Sequence, residues 1–149
     1  MNRLTQKLDK LREENKKALV AYLVAGDPDM DSTLEIMHLF VESGVDIIEV
    51  GVPFTDPIAE GPIIQRAHDR AIRKKVSLED IFTLIEKFRS KDDETPLVLM
   101  GYLNSFIFYK NLIIENKNNS VDSILVVDIP GELKICLLYT SDAADDTCC

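Results

Sequence analysis

The chain has 149 residues, of which 46% are hydrophobic and 29% charged, and its net charge is −9 at pH 7. This composition argues against extensive disorder, and the acidic excess argues against a nucleic-acid binder, because such proteins present a basic face to phosphates. No apolar run approaches the roughly 20 residues that span a bilayer, and the N-terminus leads into a charged segment, so we expect a cytoplasmic protein without membrane attachment.

Four apolar, β-branched runs alternate along the chain with segments of helical period. The runs cover residues 18–25, 45–50, 96–102 and 123–128. Their near-continuous hydrophobicity is typical of parallel strands that are buried on both faces. The alternation of strands and helices indicates βαβ units and a parallel sheet.

The segments between these runs predict helices. The first helix begins at a cap formed by Asp31 or Ser32 and ends at Gly44. The second has Pro62 in its first turn, with Ile64, Ala67 and Ala71 on one stripe. Its last turn, residues 70–75, is basic, and we interpret it as a solvated helix end.

Two further helices are predicted towards the C-terminus. Ser77 and Asp80 form a capping-box pattern at the start of the third helix, and the apolar residues that follow have helical spacing. The fourth helix covers about residues 105–115. Three aromatic residues of this helix are expected in the core: Phe106, Phe108 and Tyr109.

The last fourteen residues, 136–149, differ from the rest of the chain and contain all three cysteines. This distribution fits neither a disulfide framework nor a metal cluster. Residues 136–146 resemble a translation of the transposon-end adapter used in sequencing libraries. We therefore expect residues 1–135 to be one native domain segment and residues 136–149 to be a non-native tail. The alternative is a natural acidic tail.

The fold class follows from the number of βα steps. The first strand is followed by Ala25-Gly26-Asp27-Pro28 and not by the Gly-x-Gly-x-x-Gly of a dinucleotide-binding fold. A full (β/α)8 barrel takes about 250 residues, and four βα steps in residues 1–135 match half of one. We therefore expect an α/β fold, a (β/α)8 TIM barrel truncated to about its first four βα units.

Four acidic residues fall near the C-terminal ends of the predicted strands, where barrels carry their chemistry. They are Asp27, Glu49, Glu60 and Asp128. Glu49 interrupts an apolar strand, where burial raises a carboxyl pKa and suits a proton donor and acceptor near neutral pH. The alternative for Glu49 is an ion pair with a buried Arg or Lys. For Glu60, spacing alone favours stabilisation of the next helix N-terminus over a catalytic role.

The two histidines, His38 and His68, lie on predicted helices. Neither has a second ligand at the spacing that a metal site requires, so surface positions are favoured and no metal site is expected.

Several stretches resemble the α subunit of tryptophan synthase. The most specific is residues 48–65, which begin Ile48-Glu49-Val50-Gly51-Val52-Pro53-Phe54-Thr55-Asp56-Pro57-Ile58-Ala59-Glu60-Gly61-Pro62. Residues 25–28, 100–104 and 126–132 match in register with it. The resemblance covers about residues 1–135.

The resemblance implies a lyase of tryptophan biosynthesis that cleaves indole-3-glycerol phosphate into indole and glyceraldehyde 3-phosphate. It implies that Glu49 is the general acid/base, which protonates indole C3 and assists loss of the glyceraldehyde unit. The second acid of the family falls at Glu60, where Asp is usual, and would hold the indole N–H. The residues that would line the indole pocket are Tyr22, Ile64, Met100, Tyr102, Val127 and Ile129.

The resemblance also implies a partner, the β subunit, in an α2β2 heterotetramer. The loop after the second strand would face this subunit through Pro53, Phe54, Asp56 and Pro57. No cofactor is implied for this chain, because pyridoxal phosphate would belong to the β subunit. Barrels of this kind hold phosphate with loops after strands seven and eight, so we expect the 149-residue chain to be inactive alone.

Two other functions remain open at the level of sequence. The first is a non-catalytic subunit that only binds and activates a β partner, which would have no need of Glu49 or of a carboxylate at position 60. The second is another phosphate-sugar barrel, such as an epimerase or isomerase. Those that use metals need His and Asp ligands at strand ends, and none of the four predicted strand ends carries a His.

Overall fold

The computed structural model describes residues 2–109 and 120–129. Within them lies one parallel sheet, whose strands are hydrogen-bonded in the order β1-β2-β3-β4. The strands are β1 (Val20–Val24), β2 (Ile47–Gly51), β3 (Leu97–Gly101) and β4 (Ser123–Val126). The predicted α/β class and the four parallel strands are confirmed, and each strand is shorter than its apolar run.

Five helices lie in the described parts of the chain. They are α1 (Arg3–Glu13), α2 (Met30–Glu42), α3 (Pro62–Arg73), α4 (Leu78–Arg89) and α5 (Leu103–Phe108). None of them is long and apolar enough to cross a membrane.

The apolar runs do not predict α1, which is mostly polar. Its cap is Asn2, whose side chain accepts a hydrogen bond from the Thr5 N–H at 2.9 Å. Leu4, Leu8 and Leu11 recur at helical spacing, and only Leu11 is buried. This spacing is the signal from which α1 could have been predicted.

The predicted ends of three helices are confirmed. α3 begins at Pro62, and α2 stops just before Gly44, which has a positive φ of 85°. At the start of α4, the Asp80 N–H donates to Ser77 Oγ at 3.2 Å, and the Ser77 N–H donates to the Asp80 carboxylate at 2.9 Å. These two reciprocal bonds are the predicted capping box.

The predicted starts of two helices are wrong. The cap of α2 is Asp29 and not Asp31 or Ser32, because the Asp29 carboxylate accepts the Ser32 N–H at 2.8 Å. The helix therefore begins two to three residues earlier. α5 begins at Leu103, also before its predicted start, and it ends at Phe108 with Tyr109 as a non-helical cap, while residues 110–115 of the predicted helix lie outside the described residues.

The helix-covered face of the sheet carries the main core. Successive side chains of a strand point to opposite faces, so alternate residues of each strand belong to this layer. Its most buried members from the strands and α4 are Ile48, Val50, Leu97, Leu99, Ile81, Ile85 and Phe88.

The opposite face, here called the inner face, carries Val20, Tyr22, Glu49, Val98 and Leu125 by the same alternation and the strand register. Val20 is 48% exposed and Leu125 45% exposed. Burial on both faces, predicted from the continuous hydrophobicity, is therefore wrong for β1 and β4, which are the outer strands of the described sheet.

The aromatic residues at α5 differ in their burial. Phe106 is buried and Tyr109 is half-buried against the core, as predicted, whereas Phe108 is 83% exposed. The prediction for Phe108 is wrong because residues two apart in a helix lie on nearly opposite sides.

A buried ion pair joins the N-terminal ends of β3 and β4. Arg89 Nη2 donates to Asp122 Oδ2 at 2.9 Å, and the Asp122 side chain is 1% exposed. The same carboxylate oxygen accepts the Leu97 N–H at 2.9 Å, and Arg89 Nη1 donates to the Thr95 carbonyl at 2.7 Å. Arg3 of α1 reaches the other carboxylate oxygen at 3.3 Å. This network lies at the sheet end opposite the loops that follow the strands.

Candidate active site

Glu49 stands in the middle of β2 with its side chain on the inner face. It is half-buried, and its neighbours in the strand, Ile48 and Val50, are fully buried. Burial raises the pKa of the Glu49 carboxyl above its ordinary value. The alternative of an ion pair is wrong for the described residues, because none of their Lys or Arg side chains pairs with Glu49. A carboxyl in this state can both give and take a proton.

Two of the four candidate acids are engaged elsewhere. Both carboxylate oxygens of Asp27 accept hydrogen bonds from Arg70, at 2.6 and 2.8 Å. Asp128 accepts the Leu103 N–H at 2.7 Å and so holds the start of α5. Asp27 and Asp128 therefore fix local structure, and Glu49 and Glu60 remain as candidates for chemistry.

Glu60 lies in the loop between β2 and α3, with its side chain 7% exposed. Tyr102, directly after β3, donates its hydroxyl proton to Glu60 Oε2 and accepts the Ala59 N–H at 2.9 Å. The other oxygen, Glu60 Oε1, is buried and has no hydrogen-bond partner among the described residues. The Glu60 carboxyl thus contacts Tyr102, in the loop after β3. It does not cap α3, because the N-terminus of that helix has no side-chain hydrogen bond.

His68 is fully buried on α3, so the predicted surface position is wrong. Its Nδ1 accepts the Phe54 N–H at 3.1 Å, while Nε2 lies 3.4 Å from the Tyr22 hydroxyl and 3.8 Å from Glu60 Oε1. Burial lowers the pKa of His68, against the opposing effect of the nearby Glu60 charge. No group of three or more potential ligands that could hold a metal is present in residues 2–109 and 120–129.

The position of His68 could have been predicted from the sequence. Ile64, Ala67 and Ala71 form the apolar stripe of α3, and a residue four after Ile64 and three before Ala71 falls on the same face. A histidine within this stripe therefore points inward. Its partners could not be predicted, because they depend on the path of the loop before α3.

Tyr22 lies near enough to Glu49 and Glu60 to interact with the charges of both. It is the register partner of Glu49 on the inner face, and its hydroxyl faces His68. Burial, together with the charges of Glu60 and Glu49, raises the pKa of Tyr22 well above its ordinary value. Burial and the hydrogen bond to Glu60 likewise raise the pKa of Tyr102 to about 12. Both phenols therefore keep their protons.

The other predicted pocket residues are spread over three elements. Ile64 packs with Tyr22 against the small cluster of Val24 and α3. Met100 is the register partner of Gly51 and is 8% exposed. Val127 and Ile129 follow β4, two strands from Glu49, and both are half-buried.

The predicted partner-facing residues differ in exposure. Asp56 is exposed, Pro53 and Phe54 are half-buried, and Pro57 is buried. The Phe54 ring stacks on Tyr102, with 4.6 Å between centroids and 16° between planes. The loop is thereby packed against the residue that holds Glu60.

A model of the family described as "Tryptophan synthase alpha chain" matches residues 8–145. The chain belongs to this family. A tryptophan synthase alpha chain from Thioalkalivibrio sulfidiphilus is 46% identical over 134 residues, which are 89% of this chain and 50% of that protein. One from Legionella pneumophila is 42% identical over 134 residues, which are 89% of this chain and 49% of that protein.

Solved structures of the tryptophan synthase alpha chain family have the same fold. The alpha subunit from Legionella pneumophila matches with a TM-score of 0.83 and 42% identity, over 87% of this chain and 50% of that chain. A tryptophan synthase complex from Pyrococcus furiosus matches with a TM-score of 0.69 and 43% identity, over 76% and 47%. The chain spans about half the length of the relatives it matches. The predicted TIM-barrel fold, present here as about half of a barrel, is confirmed.

Proposed function

We propose that the full-length protein is the α subunit of tryptophan synthase, a lyase that cleaves indole-3-glycerol phosphate into indole and glyceraldehyde 3-phosphate. The observation that carries this proposal is Glu49, a half-buried carboxyl with a raised pKa and no ion pair among the described residues. Family membership supports it, because the relatives are named tryptophan synthase alpha chains.

In the proposed reaction, the bond between indole C3 and the first carbon of the glycerol chain breaks. Glu49 donates a proton to C3, which places positive charge on the indole ring. The hydroxyl on that first glycerol carbon then loses its proton to Glu49 and its C–O bond becomes the C=O of the aldehyde, while the electrons of the breaking bond to C3 return to the ring. Indole and an aldehyde leave, and Glu49 is protonated again.

Glu60 has the proposed role of holding the indole N–H. Positive charge develops on the ring in the transition state, and a carboxylate beside the nitrogen would stabilise it. Glu60 Oε1 suits this role because it is buried and lacks a described partner, and a buried acceptor without a partner gains from binding a donor. Tyr102 holds the other oxygen.

The remaining parts of the proposal follow the family. The indole pocket would be lined by Tyr22, Ile64, Met100, Tyr102, Val127 and Ile129. The β subunit would bind the loop that carries Pro53, Phe54, Asp56 and Pro57, in a cytoplasmic α2β2 complex. Pyridoxal phosphate would be held by the β subunit.

The test uses the full-length protein, expressed from the complete reading frame of the source gene read past the codon of Ile135. Indole release from indole-3-glycerol phosphate is measured without a β subunit. Glu49→Gln keeps the size of the side chain and removes proton transfer, so kcat should fall by at least about 100-fold. Glu35→Gln, at an exposed acid on α2, is the matched control.

A wild-type rate in Glu49→Gln would contradict the proposal. A full-length wild type that releases no indole, yet activates a β subunit, would favour the non-catalytic alternative.

A further inference from the structure

The two ring nitrogens of His68 have different and defined roles. Nδ1 accepts a hydrogen bond from the Phe54 N–H at 3.1 Å. A backbone N–H can only donate, so Nδ1 must present its lone pair. The neutral imidazole then carries its proton on Nε2. One backbone contact therefore fixes the tautomer of this fully buried side chain.

The Nε2–H of His68 faces two acceptors. Glu60 Oε1 lies 3.8 Å away and the Tyr22 hydroxyl oxygen 3.4 Å away. Glu60 Oε1 is the buried acceptor without a partner among the described residues. The separation of 3.8 Å is longer than a hydrogen bond, but hydrogen bonds in active sites are often long in the free enzyme and shorten when substrate binds.

We propose that His68 is a positioning residue for Glu60: its Nε2–H is directed at Oε1 while Tyr102 holds Oε2, so that donors on both sides fix the rotation of the carboxyl group. This inference rests on the proposed function of Glu60. Each carboxylate oxygen can accept two hydrogen bonds, so Oε1 retains room for the indole N–H.

The flexibility of the glutamate side chain explains why Glu60 needs a positioning residue. A glutamate carboxyl is carried by three rotatable bonds and is poorly oriented unless both oxygens are held. A misplacement of about 1 Å at a reacting group can cost on the order of 100-fold in rate. Phe54 and Glu60 lie near the two ends of the same loop, and His68 contacts both. The His68 side chain thus positions both the loop between β2 and α3 and the Glu60 carboxyl.

Two substitutions separate these contacts in the full-length protein. His68→Asn keeps an acceptor near the Nδ1 position for the Phe54 N–H and removes the donor towards Glu60. His68→Gln places an amide donor near the Nε2 position and gives up the Phe54 contact. We expect His68→Asn to lower kcat about tenfold with little change in KM. A tenfold fall in kcat corresponds to the loss of about one hydrogen bond to a charged group. His68→Gln should recover most of kcat.

The reverse order would overturn the proposal. If His68→Asn has wild-type kcat and His68→Gln is impaired, the imidazole acts only by supporting the loop through Phe54. Thermal unfolding of both variants shows whether a change in kcat reflects loss of folded protein.

A second measurement observes His68 itself and needs no activity. Imidazole ¹⁵N and ¹H NMR of the full-length protein should show the Nε2-protonated tautomer, with the His68 signals assigned by their loss in His68→Asn. Glu60→Gln should shift the Nε2–H resonance, whereas Tyr22→Phe should leave it nearly unchanged. A shift in Tyr22→Phe alone would identify the phenol as the acceptor and overturn the proposal.

The two proposals fail in different ways. A wild type without lyase activity contradicts the proposed function, and the NMR result still decides whether His68 is directed at Glu60. If the wild type is active but Glu60→Gln leaves the Nε2–H resonance of His68 unchanged, only the positioning role is contradicted.

Discussion

The phenol ring of Tyr22 occupies the space beside the Cα of Gly51. A Cβ at position 51 would lie 2.8 Å from Tyr22 Cζ and 2.9 Å from Cε2, well inside the roughly 3.5 Å at which carbon atoms attract each other. The two residues lie on neighbouring strands and share the inner face. The glycine therefore allows the phenol to sit beside Glu49 and His68.

Gly51→Ala is expected to displace the Tyr22 ring and to separate its hydroxyl from His68. Forcing an extra carbon into a packed site costs about 1–3 kcal/mol of folding free energy. In the full-length protein we expect a loss of this size in denaturant unfolding, with indole release lowered at least about tenfold as the Tyr22 ring beside Glu49 moves.

A double-mutant cycle tests the cause of the Gly51→Ala effect. In a Tyr22→Ala background the ring is absent, so Gly51→Ala should then cost less than about 0.5 kcal/mol. An equal cost in both backgrounds would show that the strain arises elsewhere.

Features that depend on neighbours in sequence could be predicted well. The capping box needs only Ser77 and Asp80, three residues apart, and its two bonds are present. The apolar run around Glu49 predicts a strand with one exceptional polar side chain, which is what β2 contains. Local chemistry decides such features, so no knowledge of the tertiary fold is required.

Features that depend on partners distant in sequence could not be predicted. Tyr22 and His68 are 46 residues apart, and Glu60 and Tyr102 are 42 apart. Their contacts follow from strand order and from the path of the loop before α3, which periodicity does not encode. Asp128 shows the same limit, because its role at the start of α5 depends on a contact across 25 residues.

The Arg89–Asp122 pair is expected to be important for stability. Asp122→Asn keeps the volume of the side chain but removes the closer charge partner of the largely buried Arg89 guanidinium, which then retains only the Asp92 carboxylate at 4.0 Å among its ion pairs with described residues. Breaking a buried pair on one side costs about 3–5 kcal/mol. Urea unfolding of the full-length protein should show a loss of this order, while kcat of the folded fraction stays unchanged because the network lies at the opposite end of the sheet.

The matched control for Asp122→Asn is Asp9→Asn. Asp9 pairs with Arg12 at 3.2 Å on the exposed side of α1, and such surface pairs contribute about 0–1 kcal/mol. Similar losses in the two variants would contradict the assigned importance of burial.

The raised pKa of Glu49 predicts a pH dependence of stability. Because the folded-state pKa lies above the ordinary value of 4.5, the folded protein binds the proton more tightly than the unfolded chain does. This contribution to stability is complete at low pH and is lost as the pH rises from 4.5 through the folded-state pKa. Glu49→Gln lacks it.

The Tm values of wild type and Glu49→Gln should therefore diverge as the pH rises above the ordinary value of 4.5. The Tm of the variant minus that of the wild type should become more positive as the pH rises. Glu35→Gln gives the baseline for removal of one exposed negative charge. A difference that is constant, or that falls with pH, would show that burial does not disfavour the charged form of Glu49.

The 149-residue chain, expressed alone, is expected to self-associate and to lack measurable lyase activity. Val20 and Leu125 on the inner face are 48% and 45% exposed, and the strands that carry them, β1 and β4, are the outer strands of the described sheet. Exposed apolar surface next to unpaired strand edges favours association between copies.

Light scattering after size-exclusion chromatography measures this association, and the indole assay measures activity. Leu125→Lys places a charge on the inner face and should reduce the associated fraction, whereas Leu39→Lys, at a residue 56% exposed on α2, should not. A monomeric chain with turnover comparable to the full-length protein would contradict both expectations, because the described strands would then suffice for folding and catalysis.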